Sequence, residues 1–180
     1  MIILASKSPR RKELLSLITD DFTVDSAEVD ETLPSGIEPD KAVEYLSKIK
    51  AQPFRKSRKI VIGADTVVAI DGKILGKPKN EKDAFLMLKN LSGKEHSVFT
   101  GVTVIKNDKE VTFSVQTKVK FFELDDREIE NYISSGEPFD KAGAYGIQGK
   151  GSLFVEKIDG DYFNVVGLPI SRLARQLKSI

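Results

Sequence analysis

The residues with the clearest capacity for chemistry follow an apolar run at the start of the chain. Residues 5–13 read ASKSPRRKE, directly after MIIL. Serine followed by proline is a helix-start signal, yet arginine is disfavoured there because a helix N-terminus already carries partial positive charge. We therefore expect this turn to hold an anion, most commonly phosphate, and the alternative is a helix cap with two solvated arginines. The candidate ligands are Ser6, Ser8, Arg10 and Arg11.

A second candidate is Asp65, which lies within the strand-like run KIVIGADTVVAI at 59–70. A carboxylate is costly to bury in such a run unless it has partners. In an open site it could accept a proton from water or hold a divalent metal. The alternative is an aspartate at a bulge, with Gly63 and Ala64 marking an interruption of the strand.

A glycine-rich loop is the third candidate, at 139–151, where the sequence reads FDKAGAYGIQGKG. Four glycines within nine residues are incompatible with an ordinary helix or strand. Such a loop lets its backbone approach a ligand closely, and it displays Asp140, Lys141 and Gln148. The amide of Gln148 both donates and accepts, so it could read the edge of a base. A purely structural loop is the alternative.

The remaining polar residues narrow the class of reaction. Lys77, next to Pro78, is either an anion ligand or a solvated lysine. His96 is the only histidine and cysteine is absent, which disfavours a zinc site. Nothing in the sequence places Ser6 or Ser8 near His96, so a catalytic triad is poorly supported. Carboxylates and basic groups remain, and this is the set used in metal-assisted phosphate chemistry.

Charge and composition exclude several classes of protein. Lysine plus arginine number 28 against 27 acidic residues, so no overall field attracts nucleic acid or anionic lipid. The absence of cysteine excludes disulfides and thiol nucleophiles. No apolar run approaches the roughly 20 residues that span a bilayer, and the N-terminus lacks the order of a signal peptide. We expect a soluble cytoplasmic protein with one domain, 1–180, that binds neither nucleic acid nor membrane.

Hydrophobic periodicity predicts the elements that must position these residues. Helices are predicted from Pro9 and at 39–50, 81–91, 125–133 and 169–177. Strands are predicted at 2–4, 59–70, 73–75, 97–105, 110–122 and 152–158. Turns at 71–72, 107–108 and 159–160 predict three hairpins. Since helices and strands alternate without a regular rhythm, we expect a mixed, curved sheet of the α/β or α+β class.

Taken together, seven stretches of the chain resemble the Maf family of nucleoside triphosphate pyrophosphatases. They are LASKSPRRKELL, VDE at 29–31, IGADTVV at 62–68, GKP at 76–78, LSGKEHSVFTGV at 91–102, GEPFDKAGAYGIQGKG at 136–151 and DGDYFNVVGLPI at 159–170. The resemblance runs in order over essentially the whole chain. The combination of SPRR, GADT and KAGAYGIQG is far more specific than any one of these motifs.

The resemblance implies a Maf/inosine-triphosphatase-like fold, with a long curved mixed sheet flanked by helices and two lobes around a deep cleft. It implies hydrolysis of a nucleoside triphosphate between its α and β phosphates, with Mg²⁺ or Mn²⁺ as the cofactor. The products would be a nucleoside monophosphate and pyrophosphate. SPRR, GADT and GIQG are similar to the branch that prefers dTTP and UTP, with modified pyrimidine nucleotides as further substrates. A homodimer is the family-level expectation.

The resemblance also implies roles for individual residues. Asp65 matches the general base, and Glu31 matches an acidic position near the metal, so both are candidate metal ligands. Positions associated with nucleotide choice are matched by Arg10, Thr66 and Gln148. Triphosphate-binding positions are matched by Arg11, Lys50 and Lys77. Further substrate neighbours under the same resemblance are Asp140 and Lys141. Ser6 and Ser8 remain candidate substrate ligands because their hydroxyls lie in the predicted anion-binding turn.

Two functions from other classes compete with this interpretation. A non-catalytic nucleotide sensor that regulates division is suggested by the family's historical link to septum formation. A nucleic-acid-binding module is suggested by the basic stretch at 55–59, although the near-zero net charge argues against it.

Overall fold

A mixed β-sheet forms the framework of the protein, which the computed structural model describes over residues 1–180. Its seven strands are β1 (Ile2–Ala5), β2 (Phe22–Asp25), β3 (Ile60–Ile70), β4 (Lys73–Leu75), β5 (Glu95–Lys106), β6 (Lys109–Phe121) and β7 (Val155–Asp159). The strand order is β2-β1-β3-β5-β6-β7, and β4 pairs with β3. β1 is parallel to both of its neighbours, whereas β3–β4 and β6–β7 are antiparallel. The prediction of a mixed sheet is confirmed.

Six helices flank the sheet. They are α1 (Pro9–Ser16), α2 (Pro39–Ala51), α3 (Glu81–Leu91), α4 (Asp126–Ile133), α5 (Tyr162–Val166) and α6 (Ile170–Ser179). Short 3₁₀ turns cover Gln52–Phe54, Glu137–Asp140, Ala142–Ala144 and Gly149–Phe154. None of the helices combines the length and the apolar character that a bilayer crossing requires.

By the packing of its backbone, the chain divides into two compact units. The first contains Met1–Thr66, Thr100–Val115 and Gly167–Ile180. The second contains Val67–Phe99 and Gln116–Val166. Because each unit draws on separated parts of the sequence, neither could be delimited from composition alone.

In the first unit, α2 lies unusually close to two strands. A Cβ atom on Gly63 of β3 would lie 2.2 Å from the carbonyl oxygen of Ser47, and one on Gly101 of β5 would lie 2.2 Å from that of Val43. Only glycine permits this approach of helix backbone to strand backbone. The backbone of α2 therefore contacts the sheet directly at these two points. This contact fixes the positions of the neighbouring side chains on the helix and the strands.

In the second unit, an aromatic cluster surrounds the single histidine. The ring of His96 makes edge contacts with Phe121 and Tyr145, with centroids 4.9 and 5.4 Å apart. Its Nε2 lies 2.7 Å from the hydroxyl of Tyr145, while Nδ1 is buried without a hydrogen-bond partner. Burial lowers the pKa of His96 to about 4, so the ring is neutral near pH 7. These contacts give His96 a structural role within the aromatic cluster.

The structure corrects three details of the predicted elements. β3 runs from Ile60 to Ile70 as one uninterrupted strand, so the glycine and alanine before Asp65 do not break it. The last strand begins at Val155 and not at residue 152, because Gly149–Phe154 is a 3₁₀ turn. β2 was not predicted: its apolar and polar residues alternate over only four positions, and three of the four are exposed, so no buried face marks it as a strand.

The predicted third hairpin, at residues 159–160, is also wrong. The chain leaves β7 and enters α5, and side-chain hydrogen bonds hold this change of direction. The hydroxyl of Thr117 donates to the carbonyl oxygen of Asp161 at 3.0 Å and lies 3.1 Å from its backbone nitrogen. The carboxylate of Asp161 then accepts from the backbone N–H of Phe163 at 2.8 Å, within the first turn of the helix. These contacts favour a helix over a returning strand.

Candidate functional site

The turn between β1 and α1 has the capping geometry that its sequence predicts. Ser8 is the N-cap of α1, and its Oγ accepts from the backbone N–H of Arg11 at 3.4 Å. Ser6 is buried, and its Oγ accepts from the backbone N–H of Ser8 at 3.3 Å. Pro9 occupies the first helical position. The two serines therefore order the turn, and they place the following arginines at its start.

The Arg11 side chain bonds to three residues of the first unit, two of which are far away in the sequence. Its Nε donates to the carbonyl oxygen of Gly167 at 2.8 Å, its Nη1 to Ser6 Oγ at 3.3 Å and its Nη2 to Thr66 Oγ1 at 3.0 Å. Thr66 Oγ1 also lies 2.8 Å from the hydroxyl of the buried Thr100. We call this set of residues the Arg11 network: Ser6, Arg11, Thr66, Thr100 and Gly167.

The charge and the remaining hydrogen-bond donors of Arg11 suit it to bind an anion. Burial lowers the pKa of its guanidinium, while the charges of Asp65 and Glu31 oppose that shift and Arg10 adds to it. An arginine nevertheless stays charged, because its ordinary pKa lies far above neutral. Three of its N–H groups are engaged inside the protein, and a guanidinium carries further donors beyond these. Those donors suit phosphate oxygens.

The carboxylate of Asp65 in β3 forms a salt bridge with a lysine. Lys50 Nζ contacts Asp65 Oδ1 directly and lies 3.1 Å from Glu31 Oε2. Asp65 and Lys50 are only 14% and 18% exposed, whereas Glu31 is 53% exposed. We call Glu31, Lys50 and Asp65 the carboxylate–lysine trio. The partner that a carboxylate needs in this apolar strand is thus Lys50.

The close approach at Gly63 explains why Lys50 reaches Asp65. Residues two apart in a strand share a face, so Asp65 points to the side of β3 on which α2 lies. Residues three apart in a helix share a face, so Lys50 follows the contact made by Ser47. The Gly63–Ser47 contact therefore positions the trio.

The metal-ligating groups of the trio, two carboxylates, determine which kind of metal site it can form. Nowhere in residues 1–180 do three or more histidine, cysteine or acidic side chains group so as to hold a metal ion. Mg²⁺, however, is often held by one or two carboxylates together with the phosphates of a substrate. Asp65 and Glu31 fit a metal shared in this way with a nucleotide, and they do not fit a metal held by the protein alone.

The candidate residues of the glycine-rich loop lie in the second unit. Lys141 Nζ donates to the carbonyl oxygen of Glu137 at 2.7 Å and to Asp140 Oδ1 at 2.6 Å. Gly143, with φ +68°, donates its N–H to the carbonyl oxygen of Gly76 at 3.0 Å. That contact ties the loop to the segment that carries Lys77. Gln148 is exposed, directly before the turn Gly149–Phe154.

The predicted site residues are divided between the two units. The first unit contains Ser6, Ser8, Arg10, Arg11, Glu31, Lys50, Asp65 and Thr66, and the second contains Lys77, Asp140, Lys141 and Gln148. Within the first unit, hydrogen bonds join Ser6, Arg11 and Thr66. Salt bridges join the residues of the carboxylate–lysine trio. Arg10 lies half-buried at the start of α1.

Sequence reasoning missed four residues that build these groups: Gly63, Thr100, Glu137 and Gly167. For Gly63 a signal existed, since an isolated glycine in a strand pattern is typical of close backbone approach. Thr100 and Gly167 act through contacts with residues far away in the sequence, and no local pattern marks them.

Comparisons with known proteins place the chain in a family. The family model described as "Maf-like protein" matches residues 1–180. A dTTP/UTP pyrophosphatase of Bacillus pumilus is 52% identical over 180 residues, covering 99% of this chain and 95% of that protein. A protein of the same name from Bacillus cereus strain AH187 is 55% identical over 179 residues, covering 98% of this chain and 94% of that protein.

A solved structure supports the fold at much lower sequence identity. A HAM1 protein from Coxiella burnetii superposes with a TM-score of 0.54 at 11% identity, covering 99% of this chain and 98% of that one. At this identity the likeness concerns the fold alone, and it agrees with the sheet and helices described above.

Proposed function

The chain belongs to the Maf family, and we propose that it hydrolyses dTTP and UTP to the nucleoside monophosphate and pyrophosphate. The observation that carries the proposal is the presence of both the carboxylate–lysine trio and the Arg11 network within one unit of a chain that matches the family throughout. Relatives with 52% and 55% identity carry the name dTTP/UTP pyrophosphatase. Both supports point to the same reaction.

Asp65 has the role of general base in this proposal. Water adds to phosphorus at the α–β linkage, the bridging P–O bond breaks, and the water proton passes to the Asp65 carboxylate. Lys50 holds that carboxylate in place and keeps positive charge beside it. A positioned base of this kind contributes about 10²- to 10⁴-fold to the rate.

Arg11 has the role of an anion ligand. A triphosphate carries about four negative charges, and hydrolysis shifts charge onto the departing pyrophosphate. The guanidinium is already fixed by Gly167, Ser6 and Thr66, so little reorganisation is needed when it binds an oxyanion. Arg10, Ser8, Lys77 and Lys141 are proposed as further substrate ligands, and Asp140 as their neighbour.

Divalent metal is proposed as a cofactor shared with the substrate. Asp65 and Glu31 would hold Mg²⁺ or Mn²⁺, which when bound supplies Lewis-acid stabilisation of phosphate charge. Lys50 already neutralises part of the charge of these two carboxylates. Chelation by EDTA is expected to abolish turnover, and restored turnover on adding Mg²⁺ would check it.

The choice of base is proposed to depend on Gln148, Thr66 and Arg10. The exposed amide of Gln148 can donate and accept at a pyrimidine edge. Thr66 is held by Arg11 and Thr100, which limits the rotamers of its hydroxyl. Equal kcat/KM for dTTP, UTP, GTP and ATP would contradict this part of the proposal, and the same panel can include modified pyrimidine nucleotides.

The decisive experiment is hydrolysis of dTTP with Mg²⁺ in water enriched in ¹⁸O, followed by phosphorus NMR. Appearance of dTMP and pyrophosphate supports the proposal, and the isotope shift identifies which phosphorus the water attacked. Appearance of dTDP and orthophosphate would mean cleavage at the γ-phosphate and would overturn it. Nucleotide binding without any product, in a titration run beside the assay, would favour the sensor that regulates division.

Further expectations concern the oligomeric state and the cellular location and role of the protein. A homodimer is proposed, and sedimentation equilibrium at micromolar concentration checks it. A cytoplasmic location is proposed, and fractionation of cells that express the protein checks it. A role in septum formation would be revealed by a division phenotype that a turnover-deficient variant still rescues.

A further inference from the structure

Glu137 makes an unusual set of hydrogen bonds at the edge of the glycine-rich loop. Its Oε1 accepts from the hydroxyl of Tyr132 at 3.1 Å and from the backbone N–H of Gly151 at 3.1 Å. Its Oε2 accepts from the backbone N–H of Lys150 at 3.0 Å. We call these four residues the Glu137 network: Tyr132, Glu137, Lys150 and Gly151. One carboxylate thus satisfies two backbone donors and a side-chain hydroxyl.

The same residue also holds the other end of the loop. The carbonyl oxygen of Glu137 accepts from Lys141 Nζ at 2.7 Å. Glu137 therefore binds the chain at residue 141 and again at 150–151, on both sides of the exposed Gln148. A segment anchored at both ends by one residue has few conformations left to it.

The loop backbone is shaped around this carboxylate. Gly149 has φ +71°, and a Cβ there would lie 2.9 Å from Glu137 Oε2. A Cβ on Gly151 would lie 2.4 Å from the carbonyl oxygen of Gly146. A Cβ on Gly151 would also lie 2.9 Å from the Tyr132 hydroxyl, so the positive φ of Gly149 and the crowding at Gly151 require glycine at both positions, independently of any approach of a ligand.

Tyr132 is suited to remain a donor in this network. Burial raises the pKa of its hydroxyl, and the nearby charge of Glu137 raises it further. The phenol therefore keeps its proton across the neutral range, and the bond to the carboxylate persists.

We propose that Glu137 is a positioning residue for nucleotide binding, because it fixes the loop that presents Lys141 and Gln148. It contacts no substrate itself and acts through those two side chains. This inference rests on the proposed function, in which Lys141 and Gln148 are substrate ligands.

The test compares Glu137→Gln with Glu137→Ala and with a control, Glu156→Gln. The glutamine keeps one carbonyl oxygen and loses the second acceptor, whereas alanine leaves all three donors without an acceptor. Glu156 is an exposed carboxylate on β7 of the same unit. Steady-state kcat and KM for dTTP, UTP and GTP are measured at a temperature at which every variant is folded by circular dichroism.

The expected result separates binding from chemistry. In Glu137→Gln, KM for dTTP rises about tenfold while kcat changes by less than about twofold, because a displaced ligand weakens ground-state and transition-state binding alike. The preference for dTTP over GTP falls with it, and Glu137→Ala shows a larger rise in KM. Glu156→Gln behaves as the wild type. A lower unfolding temperature with unchanged KM and unchanged preference would overturn the proposal.

A measurement that needs no turnover keeps the two proposals separate. Hydrogen–deuterium exchange of residues 146–151 is compared between wild type and Glu137→Gln. Faster exchange there supports the positioning role, and unchanged exchange overturns it. If the wild type hydrolyses no nucleotide, the proposed function fails, and hydrogen exchange still decides whether Glu137 orders the loop.

Discussion

The Arg11 network and the Glu137 network are two solutions to one problem, which is to hold a charged side chain with several hydrogen bonds inside one unit. Arg11 donates to partners that are 5, 55 and 156 residues away in the sequence. Glu137 accepts from partners that are 5, 13 and 14 residues away. The first network is therefore closed by the tertiary fold, and the second by a single continuous segment.

The difference has a physical consequence for stability. Closing a loop costs entropy that rises with its length, so a local network can form with less support from the rest of the chain. The Arg11 network forms only when β1, β3 and the segment at Gly167 have come together. We therefore expect changes throughout the first unit to reach Arg11, whereas the Glu137 network responds mainly to changes in its own segment.

The largest expected effect concerns the chemistry assigned to the first unit. Asp65→Asn keeps the shape of the side chain and removes its basicity, so turnover of dTTP is expected to fall by about 10²- to 10⁴-fold. Urea unfolding should show a folded protein, and steady-state assays measure the loss. A variant with wild-type kcat would mean that Asp65 is not the base.

The next largest effect concerns the second unit and its buried histidine. The ordinary pKa of 6.5 falls to about 4 for His96 in the fold, so the unfolded chain takes up this proton first as the pH is lowered. The contribution of His96 to the free energy of unfolding is fully present above about pH 6.5. It falls by about 3 kcal/mol as the pH is lowered to about 4.

Urea unfolding of wild type and His96→Gln at several pH values measures this loss. The variant lacks the buried imidazole, so its stability should decline less between pH 7 and pH 4 than that of the wild type. Parallel pH curves for the two proteins would show that His96 is not the group responsible.

A third prediction concerns the contact that positions the trio in the first unit. Gly63→Ala places a Cβ against the carbonyl oxygen of Ser47, a backbone atom that cannot rotate away. We expect a loss of about 2–3 kcal/mol in the free energy of unfolding, with lower kcat because Lys50 moves away from Asp65. Gly76→Ala is the matched control, since a Cβ there meets nothing within 4 Å. Equal stability of the two variants would contradict the proposed close packing.

The smallest predicted effect tests the Arg11 network itself. Arg11→Lys keeps the charge, but one ammonium group cannot reach acceptors arranged for a planar fork. We expect a loss of about 1–3 kcal/mol in stability and a higher KM for dTTP. Lys12→Arg, on the exposed part of α1, serves as a control for helix propensity. Wild-type stability of Arg11→Lys would mean that the network contributes little to the fold.

Most elements of the fold could be predicted because their signals are local. The capped start of α1 at Ser8 and the capping box that opens α4 at Asp125 each depend on residues three positions apart. β3 and the hairpin to β4 follow from a β-branched run and a turn at Asp71 and Gly72. The strand β2 and the helix α5 could not be predicted, because pairing with β1 and the contacts of Thr117 stabilise them from outside their own sequence.

The candidate site divides in the same way between local and distant information. The chemical groups of the site can be identified from local sequence, namely arginines behind a serine cap, an aspartate in an apolar strand and an amide in a glycine-rich loop. The tertiary structure alone decided that Lys50 pairs with Asp65 and Glu31, and that Arg11 meets Thr66 and Gly167. The reason is steric. Lys50 reaches Asp65 because the backbone of α2 contacts Gly63 directly, and Arg11 reaches Thr66 and Gly167 because distant segments of the first unit pack together.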